Sequence, residues 1–131
     1  MTYLLDVNAL IALATSGHEF HHRVATWIGS ENSCVVATCS ITELGFVRVL
    51  AQTAAYGQSV AQARMLLSRM RNSKAIAFEF IPDTHDVSRL PDWVKTPRQV
   101  TDGHLVALAV AHGATFATLD EKIPGSFLIP R

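Results

Sequence analysis

The chain has 131 residues, with 11 basic and 11 acidic side chains and a pI near 7.0. This length suits a single domain with its own core, which we take as residues 1–131, and the even charge balance excludes a globally basic nucleic-acid binder. No apolar run approaches the ~20 residues of a membrane span and the N-terminus carries no cleavable signal, so we expect a soluble cytoplasmic protein without a membrane partner.

An aspartate directly follows the first predicted strand. Residues 3–5 form a short apolar run, Asp6 ends it, and residues 7–14 favour a helix. In an open α/β sheet, ligands bind outside the carboxyl ends of the strands, where Asp6 and Asn8 would stand. Asp6 is therefore a candidate site residue, although an aspartate at this position can also be a plain helix cap.

The segment HEFHH, residues 18–22, matches the zinc-protease pattern H-E-x-x-H, with His18 and His22 as ligands and Glu19 as base. That chemistry needs the motif inside a helix and a third ligand, whereas this run only opens a helix after a glycine. We predict instead a surface helix over residues 19–28, with solvated histidines. Its apolar side consists of Phe20, Val24, Trp27 and Ile28.

A second strand is predicted over residues 33–38, and a helix follows it. Ser40 can cap this helix, and Glu43 three residues later fits a capping box. Glu43 also lies where it could reach the strand ends, so the capping and catalytic interpretations both stay open. Arg48 on the same helix is either a solvated residue or a contact for phosphate or carboxylate.

The most basic part of the chain is a predicted helix that ends near residue 72. Arg64 and Arg71, seven residues apart, share one edge of it. A solvated face is the ordinary interpretation of this edge, and a patch for an RNA backbone is the functional one. Residues 75–81 alternate like a third strand, and a proline then ends it.

Two further carboxylates bracket residues 101–120. Thr101 is a good N-cap, and Asp102 in the first helical turn suits the positive end of the helix dipole. A glycine ends this helix, and a β-prone run over residues 114–119 is halted by Asp120. We expect a last short strand to follow.

Four or five short strands alternating with helices predict an α/β fold, with a mainly parallel sheet flanked by helices. Crossovers of one hand place Asp6 and Asp120 at the same sheet edge. Asp102 lies at the start of an adjacent helix, and Glu43 lies near the start of another. Four carboxylates in one pocket repel one another unless cations occupy it. Mg²⁺ or Mn²⁺ fits best, which suits phosphodiester hydrolysis by a metal-activated water.

The chain resembles PIN-domain ribonucleases in three consecutive segments, LLDVNALIAL, SITELGFVRVL and RQVTDGHLVALAVAHGATFATLD. Within that family it is similar to the VapC-type toxins of type II toxin–antitoxin (VapBC) modules, over nearly its whole length. The resemblance implies a Mg²⁺-dependent endoribonuclease acting on single-stranded or looped RNA, a homodimer, and a cognate antitoxin whose tail blocks the site. The catalytic, metal-binding set that it implies is Asp6, Glu43, Asp102 and Asp120, with Asn8 and Thr118 as supporting residues.

The chain departs from the family pattern at two positions. Gly103 weakens the helix start by up to ~1 kcal/mol where a better helix former is usual. His104 replaces any extra carboxylate there, so the number of bound metal ions, one or two, stays open. Four arginines are candidates for contacts with RNA or the antitoxin: Arg48, Arg64, Arg71 and Arg98.

Two other functions compete with the nuclease. In a haloacid dehalogenase-like phosphatase, Asp6 would be a phosphorylated nucleophile, Asn8 would stand where a second acid is wanted, and Lys122 is the only lysine close to a carboxylate. In a binding module, the acidic pocket would hold a cation or a basic peptide without turnover.

Overall fold

The computed structural model describes residues 1–30 and 34–131. Its strands are β1 (Thr2–Leu5), β2 (Val35–Cys39), β3 (Ala77–Ile81), β4 (Thr115–Thr118) and β5 (Phe127–Leu128), and its helices are α1 (Val7–Ala14), α2 (His21–Ser30), α3 (Ser40–Gln52), α4 (Val60–Arg71) and α5 (Val100–Ala111). The five strands form one parallel sheet in the order β3-β2-β1-β4-β5. The predicted α/β fold with a mainly parallel sheet is confirmed. Ser33, the expected start of the second strand, lies outside the described residues.

Both faces of the sheet are covered by apolar side chains. Successive residues of a strand point to opposite faces, so Leu5 packs into one core with Leu10 and Phe46, and Leu4 packs into the other with Leu105. Parallel sheets are usually covered on both faces, which excludes water from the sheet. In the described part of the chain, we find no helix with the length and apolar character of a membrane span.

The central strand β1 delivers Asp6 to the middle of the carboxyl edge. Leu5 pairs with Ala117 of β4, and the backbone N–H of Asp6 then donates to the Ala117 carbonyl at 2.9 Å. One residue further along, Asp6 and Thr118 come level with each other. Because parallel strands share their direction, the residues that follow β1 and β4 meet at one edge.

The start of α5 differs from the prediction. A 3₁₀ helix, Pro97–Gln99, precedes α5, and a capping box between Thr96 and Gln99 opens it. Proline suits the first position of such a turn. The chain is therefore already helical before Thr101, which lies exposed inside the first turn of α5. The prediction that Thr101 caps this helix is wrong.

The start of α3 also differs by one residue. The capping box joins Cys39 and Thr42, whose hydroxyl oxygen accepts the Cys39 N–H at 3.0 Å. Ser40 is then the first residue of the helix and not its cap. The predicted box between Ser40 and Glu43 is wrong, and the Glu43 carboxylate is left for other partners.

The HEFHH segment is split between a loop and a helix. The helix α2 begins at His21, two residues later than predicted, with Val24, Trp27 and Ile28 buried as expected. The His21 ring bonds the Ala12 carbonyl through Nδ1 at 2.7 Å, so it is not a solvated side chain. His18 and Glu19 lie before the helix.

Candidate active site

Three of the four predicted acids line one cavity at the carboxyl edge of the sheet. This cavity, about 580 Å³ in volume and called here the acidic cavity, is lined by Asp6, Asp102 and Asp120. The two predicted supporting residues, Asn8 and Thr118, also line it. Asp6 follows β1, Asp102 lies in α5 and Asp120 follows β4, so only the folded chain brings the three carboxylates together.

Asp6 caps a helix and also lines the acidic cavity. Its Oδ1 accepts the Val7 N–H at 2.8 Å and so caps α1, while its Oδ2 accepts the Thr118 hydroxyl hydrogen at 2.8 Å. Burial raises the pKa of Asp6 above its ordinary value, and the charge of Asp120 adds to this, although both hydrogen bonds oppose it. Asp6 is thus a fixed carboxylate that is costly to ionise.

Asp120 is placed through the same threonine. The Thr118 hydroxyl oxygen accepts the Asp120 N–H at 3.0 Å, and Oδ1 of Asp120 accepts the Lys122 N–H at 2.9 Å. Local hydrogen bonds therefore shape the turn after β4, and Asp120 stays exposed at the mouth of the cavity.

Asp102 completes the set from the first turn of α5. Burial raises its pKa, and the negative charges of Asp6 and Asp120 raise it further. The three groups are therefore close enough to oppose one another's ionisation. A cation in the cavity would relieve this repulsion.

Two contacts hold the helical turn that carries Asp102. A Cβ on the buried Gly103 would overlap Cγ2 of Val94 and lie 3.4 Å from Cδ of Pro91. His104 Nε2 lies 2.5 Å from Oδ2 of Asp83. The weak helix former at position 103 thus permits close packing by the segment that precedes α5. His104, which stands where an extra carboxylate was considered, pairs with an acid outside the acidic cavity.

The fourth predicted acid, Glu43, does not line the acidic cavity. Its Oε2 accepts the Thr38 hydroxyl hydrogen at 2.6 Å and lies 3.1 Å from Nη1 of Arg71. Glu43 lines a different cavity of about 860 Å³, called here the α3–α4 groove, together with Arg64 and Arg71. The side chain is therefore paired with a cation of its own protein.

The four candidate arginines also lie outside the lining of the acidic cavity. Arg64 and Arg71, which were predicted to share one helix edge, both line the α3–α4 groove. Arg48 lines a neighbouring depression of about 530 Å³, and Arg98 is exposed in the 3₁₀ helix before α5.

Four residues of the acidic cavity were missed as site residues, and one of them is Leu119. His18, Glu19 and Phe20 line the cavity from the loop between α1 and α2. The prediction that His18 is merely a solvated neighbour is wrong. The predicted order of elements contained a signal for these residues. When two helices connect parallel strands, the second helix must run back toward the start of the next strand. Its N-terminus then begins near the carboxyl edge.

The donor set suits a hard divalent cation. Carboxylate, amide and hydroxyl oxygens are the ligands that Mg²⁺ and Mn²⁺ prefer. Within residues 1–30 and 34–131, no three His, Cys, Asp or Glu side chains form a ready-made metal cage. Mg²⁺ usually keeps several waters and uses one or two carboxylates, so an open acidic cavity fits it.

Comparison with known proteins identifies the family of the chain. The family model described as PIN domain matches residues 3–125. Ribonuclease VapC44 of Mycobacterium tuberculosis (strain ATCC 25618 / H37Rv) is 40% identical over 128 residues, covering 94% of this chain and 89% of the relative. Ribonuclease VapC38 of the same strain is 39% identical over 125 residues, covering 92% and 86%.

Two solved structures share the fold at low sequence identity. Mycobacterium tuberculosis VapC20, described as a Sarcin-Ricin loop cleaving toxin, has a TM-score of 0.65 and 18% identity, covering 100% of this chain and 99% of its own. VapBC2 from Rickettsia felis, bound to a DNA fragment from their promoter, has a TM-score of 0.61 and 15% identity, covering 98% and 97%.

The fold and the acidic edge define a PIN domain. The chain belongs to the PIN domain family and, within it, to the VapC group.

Proposed function

We propose that this protein is a Mg²⁺-dependent endoribonuclease, with Mn²⁺ as a possible substitute, and the toxin of a VapBC-type module. The observation that carries the proposal is the acidic cavity, where Asp6, Asp102 and Asp120 meet at the carboxyl edge. Relatives about 40% identical are named ribonucleases, which supports RNA as the substrate. Single-stranded or looped RNA would reach such an edge most easily.

We propose roles for five residues of the acidic cavity. Asp6, Asp102 and Asp120 would hold the cation, and Thr118 orients Asp6. When bound, the cation would activate water for attack on phosphorus and offset negative charge on the phosphate. Asn8 can donate or accept a hydrogen bond at the cavity. No side chain is required to form a covalent intermediate.

We propose Glu43 as the fourth metal-binding acid, on one condition. Its carboxylate would first have to exchange Arg71 for the cation. An RNA phosphate near the α3–α4 groove would favour that exchange, because it can take over the Arg71 guanidinium. The candidates for contacts with RNA or antitoxin remain Arg48, Arg64, Arg71 and Arg98.

An antitoxin is the proposed protein partner. The Rickettsia felis structure contains a VapBC pair, which supports one for this chain. The α3–α4 groove exposes Leu44, Val60 and Phe80 beside Arg64 and Arg71, which suits the apolar face of an acidic segment. The antitoxin's tail would then block the acidic cavity. A homodimer, a single domain over residues 1–131 and a cytoplasmic location remain predictions.

The phosphatase alternative gains no support from the geometry. Both oxygens of the Asp6 carboxylate accept hydrogen bonds, and Lys122 does not line the acidic cavity. A phosphorylated aspartate needs a free oxygen and a nearby lysine, so the nuclease accounts better for these residues.

The test is cleavage of total bacterial RNA with and without Mg²⁺, with the new 5′ ends mapped. We expect discrete cleavage sites that disappear with EDTA and in Asp6→Asn and Asp102→Asn. Asp92→Asn is the matched control, because Asp92 is exposed and does not line the acidic cavity. Metal binding without cleavage of any RNA would instead indicate the binding module, and trapped phosphoaspartate would indicate the phosphatase.

A further inference from the structure

We propose that His18 is a substrate-contacting residue, whose neutral ring donates a hydrogen bond from Nε2 to a phosphate oxygen of the RNA. The proposal rests on the ribonuclease function proposed above. It gives a role to a residue of the HEFHH segment that differs from the zinc ligation considered for it.

The charge of the acidic cavity creates the need for such a donor. A phosphodiester is anionic, and the side chains that line this cavity include four carboxylates and, within the described part of the chain, neither lysine nor arginine. A bound cation offsets charge but provides no directed N–H group. Among the lining side chains, only Asn8 and His18 carry N–H donors, and Thr118 already gives its hydroxyl hydrogen to Asp6.

A backbone hydrogen bond determines which ring nitrogen of His18 can donate. The Phe20 N–H donates to His18 Nδ1 at 3.0 Å, so Nδ1 carries the lone pair. A neutral imidazole with an acceptor Nδ1 has its hydrogen on Nε2. Within the described residues Nε2 has no hydrogen-bond partner, so it remains available to a ligand.

The loop that carries His18 is anchored on its C-terminal side. Phe20 packs partly against the core, and the Arg23 guanidinium lies 5.8 Å from its ring centre. The ring of His21 bonds the Ala12 carbonyl of α1 at 2.7 Å. The His18 ring is therefore held in place before substrate arrives, which lowers the entropy cost of using it.

The same hydrogen bond limits what His18 can do. A protonated ring would carry hydrogens on both nitrogens and could not accept the Phe20 N–H. With this hydrogen bond in place, His18 orients the phosphate through its Nε2–H group.

The decisive variant is His18→Asn. An asparagine oxygen can accept the N–H two residues later, as in an Asx-turn, so the loop keeps its hydrogen bond while the Nε2 donor is lost. We expect cleavage of total bacterial RNA at unchanged sites, with kcat/KM lower by about 10- to 100-fold, the usual effect of losing a hydrogen bond to a charged group. The melting temperature and the Mg²⁺ affinity should stay as in the wild type.

His22→Ala is the matched control from the same segment, because His22 is exposed and does not line the acidic cavity. It should cleave like the wild type. If the wild type cleaves and His18→Asn cleaves equally well, the His18 proposal is overturned while the ribonuclease stands. If the wild type cleaves no RNA with Mg²⁺, both fall.

A second measurement is independent of cleavage. Nitrogen NMR of histidine-labelled, metal-free protein at neutral pH should show the His18 ring with hydrogen on Nε2 and none on Nδ1. A ring with hydrogen on Nδ1 would overturn the proposal even if the variant lost activity, because the Phe20 contact could not then exist.

Discussion

Thr118 donates its hydroxyl hydrogen to Oδ2 of Asp6, 112 residues away in sequence, across 2.8 Å and so links the ends of two neighbouring strands. The oxygen of the same hydroxyl accepts the Asp120 N–H. One buried threonine therefore orients one acid of the site and the turn that carries another.

Thr118→Val should shift the acid limb of the pH dependence of Mg²⁺ binding and cleavage to higher pH. The Thr118 hydrogen bond lowers the pKa of Asp6 against the larger effect of burial, so its loss raises that pKa further. Ionised Asp6 then becomes scarcer at a given pH, and Mg²⁺ affinity and cleavage should fall more at pH 6 than at pH 8. Calorimetric titration of Mg²⁺ across this range is the measurement.

Thr42→Val is the control for that change, since Thr42 is equally buried but its hydroxyl pairs with the Cys39 backbone. This control variant should have the same pH dependence of Mg²⁺ binding as the wild type. Parallel shifts in both variants would show that Thr118 has no particular role at Asp6.

Asp102→Asn should stabilise the metal-free protein while removing its response to Mg²⁺. The pKa of Asp102 is raised above 3.8 in the fold by burial and by the charges of Asp6 and Asp120. A group with a raised folded pKa stabilises below its unfolded pKa, and this stabilisation is lost as pH rises through the folded value. At pH 7 the ionised carboxylate therefore costs stability.

Thermal melts in EDTA and in Mg²⁺ measure this effect. We expect the variant to melt higher than the wild type in EDTA at pH 7 and to gain less from Mg²⁺. Asp92→Asn should match the wild type in both buffers. A lower melting temperature of Asp102→Asn in EDTA would contradict the repulsion among the three acids.

Glu43→Gln should weaken Mg²⁺ binding by a smaller factor than Asp102→Asn. Glu43 must leave Arg71 to reach a cation, and a partly exposed ion pair of this kind is worth only about 0–1 kcal/mol. Arg71→Gln removes that competitor and should strengthen Mg²⁺ binding slightly. Unchanged Mg²⁺ affinity in both variants would exclude Glu43 from the metal set.

Gly103→Ala should destabilise the protein by about 1–3 kcal/mol, as overpacking usually does, despite a better helix propensity. The new Cβ would overlap Cγ2 of Val94. Denaturant unfolding measures the loss, and Val94→Ala in the same chain should recover part of it. Gly29→Ala is the control, because a Cβ there meets nothing within 4 Å. Equal stability of the two alanine variants would refute this packing argument.

Leu44→Glu should weaken binding of the antitoxin at least tenfold. Leu44 is 66% exposed in the α3–α4 groove, where a charge would oppose an apolar partner. Val110→Glu is the control, since Val110 is 67% exposed but does not line this groove. Calorimetry with the purified antitoxin would distinguish them, and equal affinities would place the partner elsewhere.

The sequence predicted the meeting of Asp6 and Asp120 because the order of strands and helices determines which chain ends share an edge. It could not predict the partner of Glu43, since that depends on Arg71, 28 residues away on another helix. The cap at Thr101 failed for a more local reason, because the turn opened by Thr96 starts the helical path earlier.

Gly103 and His18 show a second limit of sequence reasoning. Gly103 looks unfavourable when helix propensity alone is considered, and its value appears only with Val94 packed against it. His18 matches a zinc pattern, while its observed contact is a backbone N–H two residues later. Both depend on how the chain folds back on itself.

The segment between β3 and α5 contributes no acid to the cavity, yet Val94 and Asp83 support the turn that carries Asp102. Exchange of residues 82–99 for the equivalent stretch of a relative should therefore change how Asp102 is held, although none of these residues lines the acidic cavity.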